Sequence, residues 1–249
     1  MSLLESIQHG DIHELRLSRP PVNALDGALI RTLRDAILAA PDNGARGIVI
    51  SGSPGLFSAG LDVPALLQLD RAQMTQVWED FFAMLGAVAC SPVPCVAAIT
   101  GHSPAGGAVL SIFCDYRVMA TGAFRIGLNE VQVGLTVPEP VQFALRRLLG
   151  AYRAERLMVA GSMIESAEAL QVGLVDELIE PDLVIARAIG WLQELLRLPP
   201  HALRNTRRIA RSDLATLFEN PSALDTAAFV DDWFAPETQA VLHALVAQL

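Results

Sequence analysis

Apolar residues along this chain follow two patterns, short continuous runs and longer segments at helical spacing. The runs GIVISG (47–52) and CVAAITG (95–101) are rich in β-branched or small apolar residues and predict buried strands. Apolar residues recur every three to four positions in residues 27–39 and 72–90, which predicts amphipathic helices. Asp26 precedes the first of these helices and is a suitable N-cap.

Shorter segments extend the same alternation of strands and helices. Further strands are predicted at 11–18, 116–120, 124–127 and 175–180. From Pro138 onward the pattern is mostly helical, over 138–149, 151–160, 166–171 and from 182 to 249 with a Pro-Pro break at 199–200. The order predicts an α/β core followed by a helical extension.

The amino-acid composition limits the classes of molecule that the chain is expected to bind. The formal charge is −9 over 249 residues, which argues against binding to nucleic acid or to an anionic membrane surface. The chain contains no lysine, so a phosphate-bearing ligand would be met by arginine or by backbone N–H groups. No apolar run reaches the roughly 18 to 20 residues of a membrane span. Cys90, Cys95 and Cys114 lie in apolar sequence without zinc-site spacing, and we interpret them as reduced core cysteines of a cytoplasmic protein.

Two segments share one form, a buried strand followed by a turn of small residues. They are IVISGSPGLFSAGLD (48–62) and CVAAITGHSPAGGAVL (95–110). Small residues let a ligand approach the main chain, and two such turns side by side could direct two N–H donors at one oxygen. The alternative is that the glycines only allow tight packing of strand against helix. Neither segment matches a phosphate-binding loop.

One carboxylate stands out in the segment IGLNEVQVGL (126–135). Glu130 lies among apolar residues, where burial would raise its pKa toward the range of a general base. A surface glutamate at a bend is the alternative. Glu139 is interpreted as a residue of a helix start, and His102 as a solvent-facing or capped loop residue.

These segments together resemble the crotonase, or enoyl-CoA hydratase/isomerase, superfamily. The resemblance rests on RPPVNALD, FSAGLD, GxxPAGGxxLxxxCDYRVMA and IGLNEVQVGL, which follow in order over about residues 1–195. It implies an α/β fold built as a spiral of ββα units over 1–195, and a C-terminal helical trimerisation region over 196–249. It also implies coenzyme A thioester substrates, with no metal or other cofactor, and assembly as a homotrimer or a dimer of trimers.

The resemblance also assigns roles to residues. The N–H groups of Leu61 and Gly106 would form the oxyanion hole for the thioester oxygen. The loop Ala59-Gly60-Leu61-Asp62, together with Gly106 and Val109, would line the substrate.

Hydratases of this family carry two glutamates, one of them three residues after the hole glycine. That position here is Val109, so only the later glutamate, Glu130, is matched. The fragments PAGGxxLxxxCDYR, IGLNEVQVGL and AEALQVGLVDE are similar to those of the mitochondrial-type Δ3,Δ2-enoyl-CoA isomerases, which rely on a lone glutamate. The resemblance therefore implies an isomerase in which Glu130 shuttles one proton and Val109 and Leu128 exclude water. A hydratase that recruits Glu139, another one-carboxylate reaction and a non-catalytic acyl-CoA-binding protein remain open.

Overall fold

A computed structural model of the chain describes residues 2–220 and 224–248. The strands are β1 (Leu4–His9), β2 (Ile12–Leu17), β3 (Gly47–Ser51), β4 (Gly55–Leu56), β5 (Cys95–Ile99), β6 (Gly101–Pro104), β7 (Tyr116–Ala120), β8 (Arg125–Gly127), β9 (Ile164–Glu165) and β10 (Glu177–Ile179).

Helices follow most of the strands and make up the C-terminal part of the chain. They are α1 (Gly27–Ala39), α2 (Val63–Leu66), α3 (Arg71–Ala89), α4 (Gly106–Ile112), α5 (Glu139–Leu149), α6 (Ala151–Val159), α7 (Ser166–Val172), α8 (Val184–Leu195), α9 (Pro200–Ala210), α10 (Ser212–Thr216), α11 (Thr226–Phe234) and α12 (Pro236–Val246). Single 3₁₀ turns span Glu130–Val133 and Pro181–Leu183. In the described part of the chain, no helix combines the length and the apolar character needed to cross a membrane.

The strands form two sheets in which most neighbouring strands are parallel. The larger sheet has the order β1-β2-β3-β5-β7-β10, and every pair after β1–β2 is parallel. The smaller sheet has the order β4-β6-β8-β9. Each of the pairs β3–β4, β5–β6 and β7–β8 gives one strand to each sheet before a helical segment follows. The chain therefore winds as a spiral, and the predicted α/β fold of ββα units is confirmed.

Several predicted elements form where the sequence placed them. Helix α1 spans the predicted residues 27–39, and Asp26 caps it by accepting a hydrogen bond from the Leu29 N–H at 2.8 Å. Strands β3 and β5 are buried along their whole length. Glu139 begins α5 and is exposed, as its interpretation as a helix-start residue requires.

The predictions were wrong or incomplete in several places, and the two-residue strands β4 and β9 and the short helix α2 were not predicted at all. Strand β1 was missed because only Leu4 of its residues is buried, so its sequence has no clear alternation. The predicted strand 95–101 ends at Ile99, and a separate strand, β6, lies between it and α4. His102 therefore lies in a strand rather than a loop, although it is exposed to solvent as expected, and its Nδ1 accepts a hydrogen bond from the Arg125 N–H at 3.1 Å.

The cysteines only partly match their interpretation. Cys95 and Cys114 are buried, and burial raises the pKa of the Cys95 thiol to about 11. Cys90 is exposed, so its interpretation as a core cysteine was wrong. It is the C-cap of α3 and directly follows the last residue of the helix, Ala89.

A buried group of side-chain ion pairs around Asp115 links helix α9 to the core. The carboxylate accepts hydrogen bonds from the Cys95 N–H at 2.8 Å and from Nε and Nη2 of Arg207 at 2.7 and 2.8 Å. Arg211 Nη2 donates to the Phe113 carbonyl oxygen at 2.6 Å, next to the C-terminus of α4. Burial opposes the charge of Asp115, but the Arg207 hydrogen bonds and the Arg211 charge outweigh it and hold its pKa below the ordinary value. The predicted division of the chain at residues 195 and 196 stays a prediction.

We expect Asp115→Asn to destabilise the protein by about 3 to 5 kcal/mol, because it leaves two buried guanidinium groups without their countercharge. The free energy of unfolding in urea measures the effect. Asp213→Asn is the matched control, since Asp213 pairs with Arg147 at 2.7 Å on the surface. That change should cost less than about 1 kcal/mol. Equal losses in the two variants would contradict a structural role for this group of ion pairs.

Candidate active site

The segment before α1 and the loop before α2 are joined by backbone hydrogen bonds. The Leu25 N–H donates to the Gly60 carbonyl oxygen at 2.7 Å, and the Asp62 N–H donates to the Leu25 carbonyl oxygen at 3.0 Å. The partners of Leu25 in these two bonds, Gly60 and Asp62, are the residues on either side of Leu61. Leu61 and Leu25 therefore form an isolated parallel bridge. The Leu61 N–H therefore points away from Leu25. It finds no acceptor among the described residues.

Helix α4 begins on the second small-residue turn, and its first residue is Gly106. The first N–H groups of a helix have no acceptor within that helix. No side chain caps α4, in contrast to α1 and α3. Within the described residues, the Gly106 N–H is thus available to an oxygen atom of a ligand.

The two turns are in direct backbone contact. A Cβ atom on Gly106 would lie 3.4 Å from the Gly60 Cα and 3.6 Å from the Gly60 carbonyl carbon, to which the Leu61 nitrogen is bonded. A Cβ atom on Gly60 would lie 3.3 Å from the Gly106 nitrogen, and the φ of +83° at Gly60 also favours glycine. The structure therefore brings the two predicted hole residues, Leu61 and Gly106, together.

Ala105, the residue before α4, has an unusual backbone conformation. Its φ of 44° and ψ of −119° lie outside the regions that L-residues prefer, at a cost of about 1 to 3 kcal/mol. Its N–H donates to the Gly127 carbonyl oxygen at 2.8 Å, and its carbonyl oxygen accepts from the Val109 N–H at 2.9 Å. These two bonds fix the direction in which α4 starts and so the direction of the Gly106 N–H.

Glu130 lies at the start of the 3₁₀ turn that follows β8. Its Oε2 atom is buried and has no hydrogen-bond partner among the described residues, and the same is true of the neighbouring Asn129 Oδ1. Burial raises the pKa of Glu130 to about 7, opposed only in part by a hydrogen bond from its own backbone. The carboxyl group can thus exchange a proton near neutral pH.

The register of the small sheet places Glu130 close to the two turns. In the β6–β8 pair, Pro104 lies opposite Gly127, and Ala105 bonds to the Gly127 carbonyl oxygen. Glu130 follows Gly127 by three residues, which span at most about 10 Å. Gly106 follows Ala105 directly. Glu130 and Gly106 therefore both follow the carboxyl ends of two neighbouring parallel strands, β8 and β6, within a few residues.

The remaining predicted substrate residues are placed around this point. Val109 and Leu128 are both buried. Ala59 is half-buried and donates its N–H to the Val22 carbonyl oxygen at 3.0 Å. Asp62 has a structural role in addition to the predicted one, because its carboxylate caps α2 and pairs with Arg19.

Sequence reasoning missed the side chains that hold the first turn. Arg19 bonds to Asp26 as well as to Asp62, and so ties the start of α1 to the start of α2. Asn23 Nδ2 donates to the Phe57 carbonyl oxygen at 3.2 Å, and Ser58 Oγ donates to the Asn23 carbonyl oxygen at 2.8 Å. The only signal was the presence of Arg19 and Asn23 in the motif RPPVNALD and of Ser58 in the motif FSAGLD.

Residues 2–220 and 224–248 contain no cluster of three or more His, Cys, Asp or Glu side chains suited to a metal ion.

Comparison with known proteins gives consistent matches over nearly the whole chain. The sequence model of the family described as "Enoyl-CoA hydratase/isomerase" matches residues 8–238. Enoyl-CoA delta isomerase 1, mitochondrial, of Mus musculus is 30% identical over 250 residues, which cover 99% of this chain and 86% of the mouse protein. A probable enoyl-CoA hydratase, echA17, of Mycobacterium avium is 34% identical over 218 residues, which cover 86% of this chain and 82% of that protein.

The three-dimensional fold of this chain also matches that of a solved structure. The crystal structure of human mitochondrial delta3-delta2-enoyl-CoA isomerase superposes with a TM-score of 0.94 at 27% sequence identity. The match covers 99% of this chain and 98% of the human one.

We expect the Glu130 carboxyl carbon to titrate with a midpoint near pH 7 in ¹³C NMR of glutamate-labelled protein, and the signal to be absent in Glu130→Gln. A raised folded pKa means that the unfolded chain releases this proton first as the pH rises. The wild-type protein should therefore lose stability between pH 4.5 and 7 relative to Glu130→Gln. A midpoint near the ordinary value of 4.5 would mean that the carboxyl group is hydrated.

Proposed function

The chain belongs to the enoyl-CoA hydratase/isomerase family, and we propose that it is an isomerase that converts 3-enoyl-CoA to trans-2-enoyl-CoA. The observation that carries this proposal is the Glu130 carboxyl group, whose Oε2 is buried without a partner, close to two turns that each offer one N–H group without an acceptor among the described residues. The reaction moves one proton from C2 to C4 of the acyl chain, and one carboxyl group suffices for it.

In the proposed reaction the thioester oxygen accepts hydrogen bonds from the Leu61 and Gly106 N–H groups. The Glu130 carboxylate takes a proton from C2, and the electron pair of that C–H bond moves onto the thioester as a dienolate. The two N–H donors stabilise the negative charge that develops on oxygen. Protonated Glu130 then returns the proton to C4, and the new double bond forms between C2 and C3.

The pKa of Glu130 suits both halves of this reaction. At a value of about 7, a large fraction of the group is ionised at neutral pH and can act as the base. Its conjugate acid is also formed readily, so the same group can donate the proton back. Coenzyme A enters as part of the substrate, and the proposed chemistry needs no metal or further cofactor.

The apolar surroundings favour proton transfer over addition of water. Hydration needs two groups that position and activate a water molecule, and Val109 supplies an alkyl side chain where the hydratase pattern has a glutamate. Glu139, the other candidate for a second acid, is exposed at the start of α5. Both observations support an isomerase over a hydratase.

Enoyl-CoA hydration is the second candidate function. The mycobacterial relative at 34% identity is named as a probable hydratase, so the family match alone does not separate the two reactions. A non-catalytic acyl-CoA-binding protein is the third candidate. Product analysis and turnover separate these three possibilities.

We also propose that the chain assembles as a homotrimer or as a dimer of trimers. Helix α6 presents Tyr152 and Val159, each 73% exposed, and Val131 lies exposed on the 3₁₀ turn that α6 packs against. Large apolar side chains that share an exposed surface are typical of an interface. This surface adjoins the turn that carries Glu130.

Glu130→Gln should lower the rate of 3-enoyl-CoA isomerisation by about 10² to 10⁴-fold, because the amide cannot take the C2 proton. Formation of the conjugated 2-enoyl thioester is followed by absorbance, and acyl-CoA affinity is measured by calorimetry. Affinity should be nearly unchanged, since the two N–H donors remain. Glu139→Gln is the matched control and should keep the wild-type rate.

Two outcomes would contradict the proposal. Full isomerase activity in Glu130→Gln would exclude Glu130 as the base. Substantial 3-hydroxyacyl-CoA from wild-type protein and 2-enoyl-CoA would identify a hydratase instead, and binding without turnover of either substrate would identify a binding protein.

For the assembly, we expect Tyr152→Glu combined with Val159→Glu to yield monomers, because two charges would be buried in an apolar contact. Light scattering on wild-type protein should give three or six times the mass of one chain. Wild-type protein that is monomeric at micromolar concentration would contradict the proposed trimer.

A further inference from the structure

The 3₁₀ turn that carries Glu130 is held in place by the C-terminal helix α12. Thr238 in the first turn of α12 is buried, and its Oγ1 donates a hydrogen bond to the Gly134 carbonyl oxygen at 2.8 Å. Gly134 is the residue that ends the 3₁₀ turn. One hydroxyl group of a distant helix is thus bonded to the backbone of this turn.

Gly134 transmits this contact to Glu130 through the backbone of a single turn. The Gly134 N–H donates to the Val131 carbonyl oxygen at 3.3 Å, and the Leu135 N–H donates to the Glu130 carbonyl oxygen at 3.0 Å. A Cβ atom on Gly134 would lie 3.1 Å from the Thr238 Cα, and the φ of Gly134 is +78°. Helix and turn are therefore in van der Waals contact, and displacement of one displaces the other.

The opposite side of the turn is fixed as well. Gln132 Nε2 donates to the Gly161 carbonyl oxygen at 2.9 Å, just after α6. Helix α12 also packs against α2, which begins two residues after Leu61. It is thus in contact with the turn of the proposed base and with the helix that follows the proposed hole.

We propose that Thr238 is a positioning residue for Glu130, acting through its hydrogen bond to Gly134. The hydroxyl group fixes the 3₁₀ turn so that the carboxyl group stays buried and faces the reacting carbons. The kinetic consequence rests on the proposed isomerase function, whereas the effect on the protonation of Glu130 does not.

Charged side chains on the neighbouring helices do not account for the environment of Glu130. Titratable side chains lie on α12 at Glu237 and His243, and on α6 at Tyr152, Arg153, Glu155 and Arg156. Burial and a local backbone hydrogen bond are the causes of the shifted pKa of Glu130. Packing of the turn therefore governs its protonation, and packing is what the Thr238 bond maintains.

Thr238→Val, which keeps the shape and removes the hydroxyl group, tests the proposal. A buried hydrogen bond contributes about 0.5 to 1.5 kcal/mol, so we expect kcat to fall up to about tenfold with little change in KM. Looser packing admits water, so the ¹³C NMR midpoint of Glu130 should move below its wild-type value. Thr238→Ser, which restores the hydroxyl group, should recover both quantities.

Thr32→Val is the matched control, because Thr32 Oγ1 makes the same kind of bond, to the Ala28 carbonyl oxygen at 2.8 Å, on the exposed side of α1. It should change neither kcat nor the midpoint. Thr238→Ala, which also lacks the hydroxyl group, should behave like Thr238→Val and provides a second test if the valine variant does not fold.

Wild-type kcat and an unchanged Glu130 midpoint in folded Thr238→Val would overturn the proposal. Equal losses in Thr238→Ser and Thr238→Val would also overturn it, since keeping the hydroxyl group would then preserve neither kcat nor the midpoint. If wild-type protein does not isomerise 3-enoyl-CoA but the midpoint still shifts in Thr238→Val and recovers in Thr238→Ser, the proposed function fails and the positioning role stands.

Discussion

The candidate site depends on the close approach of two backbone turns, at Gly60 and at Gly106. A Cβ atom on Gly60 would lie 3.1 to 3.3 Å from Pro104, Ala105 and Gly106, which is tighter than ordinary contact, and a Cβ atom on Gly106 would lie 3.0 Å from the Leu25 side chain. Similar constraints act in the small sheet, where a Cβ atom on Gly101 would lie 1.9 Å from the Gly55 carbonyl carbon. The absence of side chains thus lets neighbouring strands deliver two N–H donors to one place.

The second turn is constrained from both ends of α4. At its N-terminus, Ala105 is kept in a strained conformation by its bond to Gly127. At its C-terminus, the carbonyl oxygens of Phe113 and Cys114 accept hydrogen bonds from Arg211 and Arg117, whose positive charges complement that end of the helix. A seven-residue helix is too short to be stable by itself, so these contacts determine its position.

Short sequence patterns correctly predicted the elements whose position depends on neighbouring residues. The helical period and the cap at Asp26 gave α1 its residues, and the continuous apolar runs gave β3 and β5, since both signals lie within a few residues. Strand β6 was missed because its sequence, GHSP, has no strand character and is held by pairing with β4 and β8. The exposure of Cys90 and the contact of Thr238 with Gly134 depend on packing between distant segments, which no short pattern encodes. Glu130 was singled out because most of its neighbours in sequence are apolar, and its catalytic role stays a prediction.

In the proposed reaction, the reactivity of the Glu130 carboxyl group depends on how well the surrounding residues exclude water. Water that reached Glu130 would lower its pKa and would also compete for the acyl chain, so the same apolar environment serves the proton transfer and opposes hydration. Val109 and Leu128 are buried alkyl side chains, and the 3₁₀ turn carries the carboxyl group. In the proposed reaction, the choice between moving a double bond and hydrating it then follows from solvation and from Val109, an alkyl side chain where the hydratase pattern has a second glutamate.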